Sequence, residues 1–413
     1  MTNLTITVVG GSYGEECAYP PRRVYRGSGG RSAAVLSSLG ANVTLDTITG
    51  PVLSTTFSDI AKILGYNLNS RSGHEDIWFR YRHPLGHPSI YPVEPLKLAT
   101  THTVQTELAL VFGMVEGRPI VHAARAVYDP QDGFRSQHFG ANGSTAKDLA
   151  MVVSYSEGKA LTGQTEPNAM AENLLLITNV SAAVIKCGPQ GALVATKKNQ
   201  GWIRAFPTKK VYKIGSGDAF SAAFAYAWLC QNQDAMSAAW FASRVAAAYV
   251  ETAQDKFTSV QRIQFQEEAK AESTKFHNAG PRIIPSTQIY LAGPFFSTAQ
   301  QWLIDEVRGA LTDMGFKVFS PSHEIGLGPA KEVAPADLFE LDRSGLVLAL
   351  LDGLDAGTIF EVGYARSKDI PVVAIAESVD ENSLTMILGS ACEVSNDLST
   401  GIYAACWYLM GDV

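Results

Sequence analysis

Long apolar runs, paired cysteines and blocks of like charge are all missing from this 413-residue sequence. No apolar stretch approaches the ~20 residues that a membrane-spanning helix requires, so no membrane partner is expected. The five cysteines (Cys17, Cys187, Cys230, Cys392 and Cys406) are odd in number, far apart and never in C-x-x-C spacing. That excludes a disulfide framework and a thiolate zinc site, and leaves them as reduced packing residues. No His, Cys and Asp cluster has metal-ligand spacing, so no structural metal is expected. Only 18% of residues are charged, the formal net charge is −7, and Lys and Arg are scattered. Nothing there attracts a polyphosphate backbone, and a nucleic-acid polymer is not an expected partner. The opening MTNLTITVVGG lacks a charged n-region and reads as a buried strand, which predicts a cytoplasmic protein.

What is present is an ordinary globular composition: 46% hydrophobic residues with 36 Gly and 19 Pro. That excludes disorder, collagen and coiled coil, and the length suits two or three domains. Short β-rich runs at Thr5–Val9, Val43–Thr47, Leu108–Phe112, Ile120–His122, Leu149–Val153, Ala183–Lys186 and Ala192–Thr196 alternate with helical periodicity at Ser32–Leu39 and Ala219–Cys230. Such alternation predicts an α/β layered fold with a mostly parallel sheet. Asp76–Tyr91, aromatic, basic and broken by Pro and Gly, suits a hairpin projecting as a lid. A helical stretch at Ser259–Phe276 runs into HNAGPRIIPSTQ, a linker by composition. We therefore expect a first domain over 1–280, a linker over 281–287 and a second domain over 288–413. In the latter, strands at Ile289–Ala292, Lys317–Ser320, Leu346–Leu351 and Val372–Ala374 alternate with helices at Ala299–Met314, Ala334–Arg343 and Thr358–Lys368.

The first domain carries Lys213-Ile214-Gly215-Ser216-Gly217-Asp218-Ala219-Phe220 directly before an Ala-rich helix. Glycines there leave backbone N–H groups free to face an anion, with the helix dipole behind them. An Asp at that point can accept a hydroxyl proton during phosphoryl transfer. A plain glycine turn with Asp218 as an N-terminal charge accounts for the four residues equally well. In its context the segment resembles the G-A-G-D signature of the ribokinase (PfkB) family of carbohydrate and nucleoside kinases, over roughly residues 1–280. The likeness extends to Gly10-Gly11 after the first strand, to Gly27-Ser28-Gly29-Gly30-Arg31-Ser32, similar to the substrate loop, to Asp129-Pro130, and to Lys186-Cys187-Gly188-Pro189-Gln190-Gly191-Ala192 on the nucleotide side. The resemblance implies a ribokinase-like three-layer domain using ATP and Mg²⁺. It would make Asp218 the catalytic base, Gly215, Ser216 and Gly217 the anion hole, Gly29 and Gly30 substrate contacts, and Glu157 an aid to Mg²⁺. The chain departs from the family pattern at Tyr212-Lys213, at Ser154 and at Arg31-Ser32. A non-catalytic ligand-binding or assembly module is the alternative these departures leave open.

The second domain has three separated segments that fit one chemistry. Tyr290-Leu291-Ala292-Gly293-Pro294-Phe295-Phe296 ends a strand where open α/β sheets bind ligands. Asp337 lies on a later helix, and Asp355-Ala356-Gly357-Thr358-Ile359-Phe360-Glu361-Val362-Gly363-Tyr364-Ala365 opens another. Thr358 and Glu361 have the S/T-x-x-E spacing of a capping box. Alternatively, a carboxylate in the helix's first turn, kept ionised by the dipole, could attack an anomeric carbon, with the other carboxylates and a tyrosine serving glycosyl transfer. Together the segments resemble the nucleoside 2-deoxyribosyltransferase family, which includes N-glycoside hydrolases, over 288–413.

That resemblance implies a smaller flavodoxin/Rossmann-like α/β domain with a parallel sheet and no cofactor. Glu361 would be the nucleophile, Tyr290 its orienting partner, Asp355 the holder of sugar hydroxyls and Asp337 the proton donor or partner of the leaving base. Gly293, Pro294, Phe295 and Gly357 would line the substrate, a small-molecule nucleoside or nucleotide. Met386, in Leu384-Thr385-Met386, falls where family members lend a residue to a neighbouring subunit, so a homo-oligomer is expected, although the Asn that usually accompanies it is absent. Ser297-Thr298-Ala299-Gln300 lacks the Ser/Arg cluster of the monophosphate hydrolases, which favours an unphosphorylated nucleoside. Transfer and hydrolysis both fit. His83, His87, Arg80 and Arg82 in the lid, and His323, are secondary candidates for ligand contact; Trp302 and Trp407 read as packing residues.

Overall fold

The computed structural model describes residues 5–93, 101–131, 135–276 and 280–411. The chain separates into two compact units, Met1–Thr208 with Tyr212–Pro281 and Arg282–Val413 with Lys209–Val211. Residues His277, Asn278 and Ala279 of the expected linker stretch, and the first four residues of the chain, lie outside the described residues. Among the described residues no helix is long and apolar enough to cross a membrane.

The first unit is built on strands β1 (Thr5–Val9), β2 (Gly14–Cys17), β3 (Arg22–Tyr25), β4 (Asn42–Thr49), β5 (Asn67–Ser72), β6 (Trp78–Tyr81), β7 (Ser89–Tyr91), β8 (Thr103–Phe112), β9 (Ile120–Asp129), β10 (Thr145–Ser154), β11 (Val180–Lys186), β12 (Ala192–Thr196) and β13 (Gln200–Ile203). Nine of them form one sheet in the order β13-β12-β11-β10-β9-β8-β1-β4-β5. Pairing is parallel except at β11–β12 and β12–β13. Its helices are α1 (Gly27–Ser38), α2 (Leu53–Leu64), α3 (Tyr155–Thr162), α4 (Pro167–Leu175), α5 (Ser216–Ala225), α6 (Ala235–Thr252) and α7 (Ser259–Lys275). The central strands are apolar on both sides because both faces are covered. Leu36 of α1, Phe224 of α5, Tyr249 of α6 and Phe265 of α7 pack with Ile6, Val8 and Leu110 on one face. Met170 and Leu174 of α4 pack with Val111, Met151 and Ile185 on the other. This is the three-layer arrangement expected from the sequence.

Residues 76–91 do form an antiparallel pair, β6 with β7, but within a four-stranded sheet ordered β3-β2-β6-β7. The sequence hid β2 (GEEC) and β3 (RRVY), which are short and charged. β9 runs seven residues past the expected Ile120–His122. Arg125 breaks its apolar pattern yet stays within the strand, bonded to Asp148 (3.0 Å) and lying over the Trp228 ring.

The second unit contains β14 (Ile289–Ala292), β15 (Val318–Phe319), β16 (Leu346–Leu350), β17 (Val372–Ile375) and β18 (Glu393–Ser395). With them run α8 (Thr298–Asp313), α9 (Pro321–Glu324), α10 (Ala330–Asp342), α11 (Ala356–Ser367), α12 (Thr385–Gly389) and α13 (Leu398–Leu409). The five strands are all parallel in the order β15-β14-β16-β17-β18. Counted within the unit this is the flavodoxin order, whose direction reverses between β14 and β16. Leu341 of α10 and Val362 and Ala365 of α11 pack with Val347 and Ala349 on one face. Ile304 of α8 approaches Leu350 on the opposite one, where α13 also packs.

Candidate functional site

In the second unit the reversal between β14 and β16 gathers the expected residues at the carboxyl edge of the sheet. β14 ends in Gly293-Pro294-Phe295, and a Cβ at Gly293 would stand 3.1 Å from both Ile304 and Leu350, so only glycine fits the turn without displacing them. After β16 the chain turns through Gly353 and Leu354, both at positive φ, into α11.

Asp355 is the N-cap of α11, accepting from the Thr358 backbone N–H (2.9 Å) and hydroxyl (3.1 Å). Thr358 is therefore the third helical residue rather than a cap, and the capping-box alternative for Glu361 fails. Glu361 also lies in the second turn, not the first, so the expectation that the dipole keeps it ionised is corrected. Burial instead raises its carboxyl to about 7; the Tyr290 hydrogen bond pulls it down, while Asp337 and Asp355 push it up.

The Tyr290 hydroxyl donates to Glu361 Oε1 at 2.6 Å. Its ring is wholly buried and stacks on Phe319 at 5.5 Å between centroids. Burial first, then Glu361, drives the phenol far above its ordinary value. Asp337, on α10, is raised by burial, and its Oδ1 is buried without a hydrogen-bond partner. Tyr290, Asp337, Asp355 and Glu361 thus form one electrostatically linked group. Gly357 follows the cap so closely that a Cβ there would meet Asp355 Oδ2 at 3.0 Å. Met386, on α12, is 82% exposed. His323 is bound instead to the Ser320 hydroxyl (3.0 Å) and to Asp305 (3.1 Å), and Trp407 is buried, as a packing residue should be.

In the first unit, Gly215 is the N-cap of α5 at φ +79°, so Ser216, Gly217 and Asp218 make the first helical turn. Asp218 is buried, and Arg31 Nη1 donates to its Oδ2 at 2.6 Å. Gln131 Nε2 binds the other carboxylate oxygen, and Arg31 also pairs with Glu15. Gly29 and Gly30 are buried in α1 beside Arg31. A Cβ on Gly29 would come within 2.5 Å of the Gly10 carbonyl, so glycine permits that backbone crossing.

Two lysines lie by the α5 turn. Lys213 Nζ donates to the Ser216 hydroxyl (3.1 Å), with its pKa lowered by burial and then by Lys186. Lys186 Nζ donates to Asp129 (2.6 Å), which also accepts from Ser221 (2.7 Å). Burial lowers the Lys186 pKa, but Asp129 and Glu157 raise it more. Burial lifts Asp129 to about 7 against the pull of Lys186. Glu157 closes a capping box on α3, accepting from Ser154 N–H at 2.6 Å.

The turn and its lysines therefore fit an anion such as a phosphoryl group. Asp218 and Asp129 are held by cations and Glu157 caps a helix, and among the described residues no group of three or more His, Cys, Asp or Glu could hold a metal ion by itself, so any Mg²⁺ would come with the phosphates of a nucleotide. Arg31, Gln131, Glu15, Lys186 and Lys213 were missed as site residues. The signal available was the departures from the family pattern, since Arg31 and Lys213 are two of them.

Comparisons with known proteins agree with this division. Residues 149–261 match the family model for pfkB family carbohydrate kinases, and residues 289–396 that for nucleoside 2-deoxyribosyltransferases. No curated protein matches the chain. Among solved structures, phosphofructokinase-2 from Escherichia coli in complex with fructose-6-phosphate is similar at 13% identity, covering 65% of this chain and 99% of that one, with a TM-score of 0.47. The Methanocaldococcus jannaschii nucleoside kinase, an archaeal member of the ribokinase family, is similar at 16% identity, 64% and 98% coverage and a TM-score of 0.46. A PfkB protein from Polaromonas sp. JS666 is similar at 14% identity, 63% and 99% coverage and a TM-score of 0.46. The chain thus carries one segment that matches the pfkB carbohydrate-kinase model and, further along, one that matches the nucleoside 2-deoxyribosyltransferase model.

Proposed function

We propose that the second unit cleaves or exchanges the N-glycosidic bond of a nucleoside through a glycosyl ester on Glu361. The observation that carries this reading is the 2.6 Å hydrogen bond from the buried Tyr290 hydroxyl to Glu361 Oε1. It holds one carboxylate oxygen in place and leaves the other to attack C1′. As the Glu361 oxygen bonds to C1′, the C1′–N bond breaks and its electron pair leaves with the base. Asp337, raised by burial, supplies the proton that neutralises the departing base. Water, or a second base, then attacks C1′ and releases Glu361, giving hydrolysis or transfer. Asp355 spends Oδ2 on the α11 cap, so its free oxygen is the one that would hold sugar hydroxyls. Gly293, Pro294, Phe295 and Gly357 line the approach, and exposed Met386 suits a contact with a second copy in a homo-oligomer. Incubation with a 2-fluoro-2-deoxynucleoside followed by mass spectrometry should find one adduct, on Glu361. An adduct elsewhere, or turnover by Glu361→Ala, overturns the reading.

For the first unit one observation favours ligand binding over phosphoryl transfer. A base must be free to take a proton, and Asp218 is instead closed by Arg31 at 2.6 Å. An active kinase would take ATP with Mg²⁺ at the Gly215–Gly217 turn, and Arg31 would have to leave Asp218 first. Adding ATP to a panel of sugars and nucleosides tests this, with substrate-dependent ADP release deciding for the kinase.

A further inference from the structure

The first unit also has a partly open cavity of about 270 Å³ beside β3, the end of α2 and the turn after α6. Its wall carries Arg22, Arg26, Arg31 and Lys256, with Asp255 as the one carboxylate among the lining residues. Such a concentration of cations is unexpected in a chain of net charge −7, and cavity walls of low dielectric intensify it. Asp255 is already committed: Arg26 holds it with both Nε and Nη2. Arg22 donates to the Ala253 carbonyl (2.5 Å) and lies 5.0 Å from the centre of the Tyr212 ring. Among the described residues neither Arg22 nor Lys256 forms an ion pair. Two cations therefore face the cavity without a counter-charge, and one of them is a guanidinium, whose planar fork matches phosphate oxygens.

Arg31 connects this cavity to the α5 turn. Its guanidinium is spread between Glu15 and Asp218 with the Tyr249 ring 5.7 Å away, and its Nε is buried without a hydrogen-bond partner. A Cβ at residue 215 would stand 2.2 Å from that Nε, so a side chain there would displace the Arg31 guanidinium from its present place.

We propose that this cavity binds a small phosphorylated metabolite, and that the bound anion competes with Asp218 for Arg31. The volume suits a phosphate, a pyrophosphate or a compact sugar phosphate, being below the usual range for a drug-sized ligand. The site stands whether or not the first unit transfers phosphoryl groups. Because linkage is reciprocal, weakening the hold of Asp218 on Arg31 must strengthen anion binding.

The test is calorimetric titration of the full chain with inorganic phosphate and with pyrophosphate at constant ionic strength. Saturable binding is expected, weakened ~10-fold or more by combined Arg22→Gln and Lys256→Gln, about the effect of losing one charge-assisted contact. In a Lys213→Gln background, which removes a contact of the α5 turn, the remaining isotherm reports the cavity, and Asp218→Asn should tighten it. Absence of saturable binding overturns the proposal, as does loss on Lys213→Gln with the double variant unaffected, which would put the anion at the α5 turn. Unchanged affinity in Asp218→Asn overturns the coupling. Should the double variant melt well below wild type, Lys256→Gln alone, an exposed side chain, gives the same reading.

Discussion

Tyr290 and Glu361 act on each other in opposite senses: the phenol's hydrogen bond at 2.6 Å pulls down a carboxyl that burial pushes up, while the carboxylate adds to the burial that already drives the phenol far above its own range. The carboxyl that results, at about 7, titrates where an enzyme works.

A nucleophile must be ionised, so kcat/KM should fall as pH drops below about 7. In Tyr290→Phe the hydrogen bond that lowers the carboxyl is gone, and the acid limb should move to higher pH with KM little changed. A pH–rate profile that stays flat from 5 to 8 in the wild type would contradict the assignment.

Stability should follow the same group with a definite sign. Folding raises Glu361 from 4.5 to about 7, so the native state holds this proton more tightly than the unfolded one. That contribution is complete below the unfolded value and is lost as pH rises through about 7. Glu361→Gln, which never ionises, should therefore melt close to wild type at pH 5 and above it at pH 8.5. Scanning calorimetry at the two values decides it, and a variant less stable at pH 8.5 would refute the burial argument.

Glu361→Ala removes no helix cap, since Asp355 holds that position. Base release should drop by about 10³-fold or more, the scale of losing an essential group, while the folded fraction is kept. Asp355→Ala should cost ~1 kcal/mol through the lost cap as well as weakening sugar binding. A variant at 355 with altered KM but unchanged melting would mean that the cap carries no stability.

Arg31 is a buried cation with two carboxylates, and its side chain is 3% exposed. Arg31→Met should destabilise the first unit by roughly 3–5 kcal/mol, because Glu15 and Asp218 are left buried without a counter-charge. Adding Asp218→Asn should recover part of that loss. Denaturant melts of the single and double variants form the cycle, and strict additivity would show that the pair does not interact.

Light scattering at assay concentration should find a homo-oligomer. Full glycosidase activity in a monomer would remove Met386 from the site.

Short runs rich in β-branched and apolar residues were legible: β1, β12 and β14 match the sequence reading residue for residue. Those whose polar residues face neighbours rather than water were not, as Arg125 in β9 illustrates. Glycine motifs pointed to both candidate sites, because a Gly-rich turn before a helix has few physical uses. Partners were harder, since pairing across 187 residues, as between Arg31 and Asp218, leaves no local pattern. Position within a helix was harder still. Glu361 reads as capping residue or first-turn anion until Asp355 is seen to start α11, which shifts it by a full turn.

The reversal of winding between β14 and β16 has a consequence for how this unit can diversify. The chain leaves β14 for α8 on one face and β16 for α11 on the other, so the crevice between them is bounded by the two connections at 293–297 and 351–355 and not by packed core. Substitutions or insertions in those segments reshape what enters the crevice without repacking the sheet. Tyr290, by contrast, is anchored inside a strand and against Phe319. Under the proposed mechanism, substrate preference can therefore drift while the pair Tyr290 and Glu361 stays fixed.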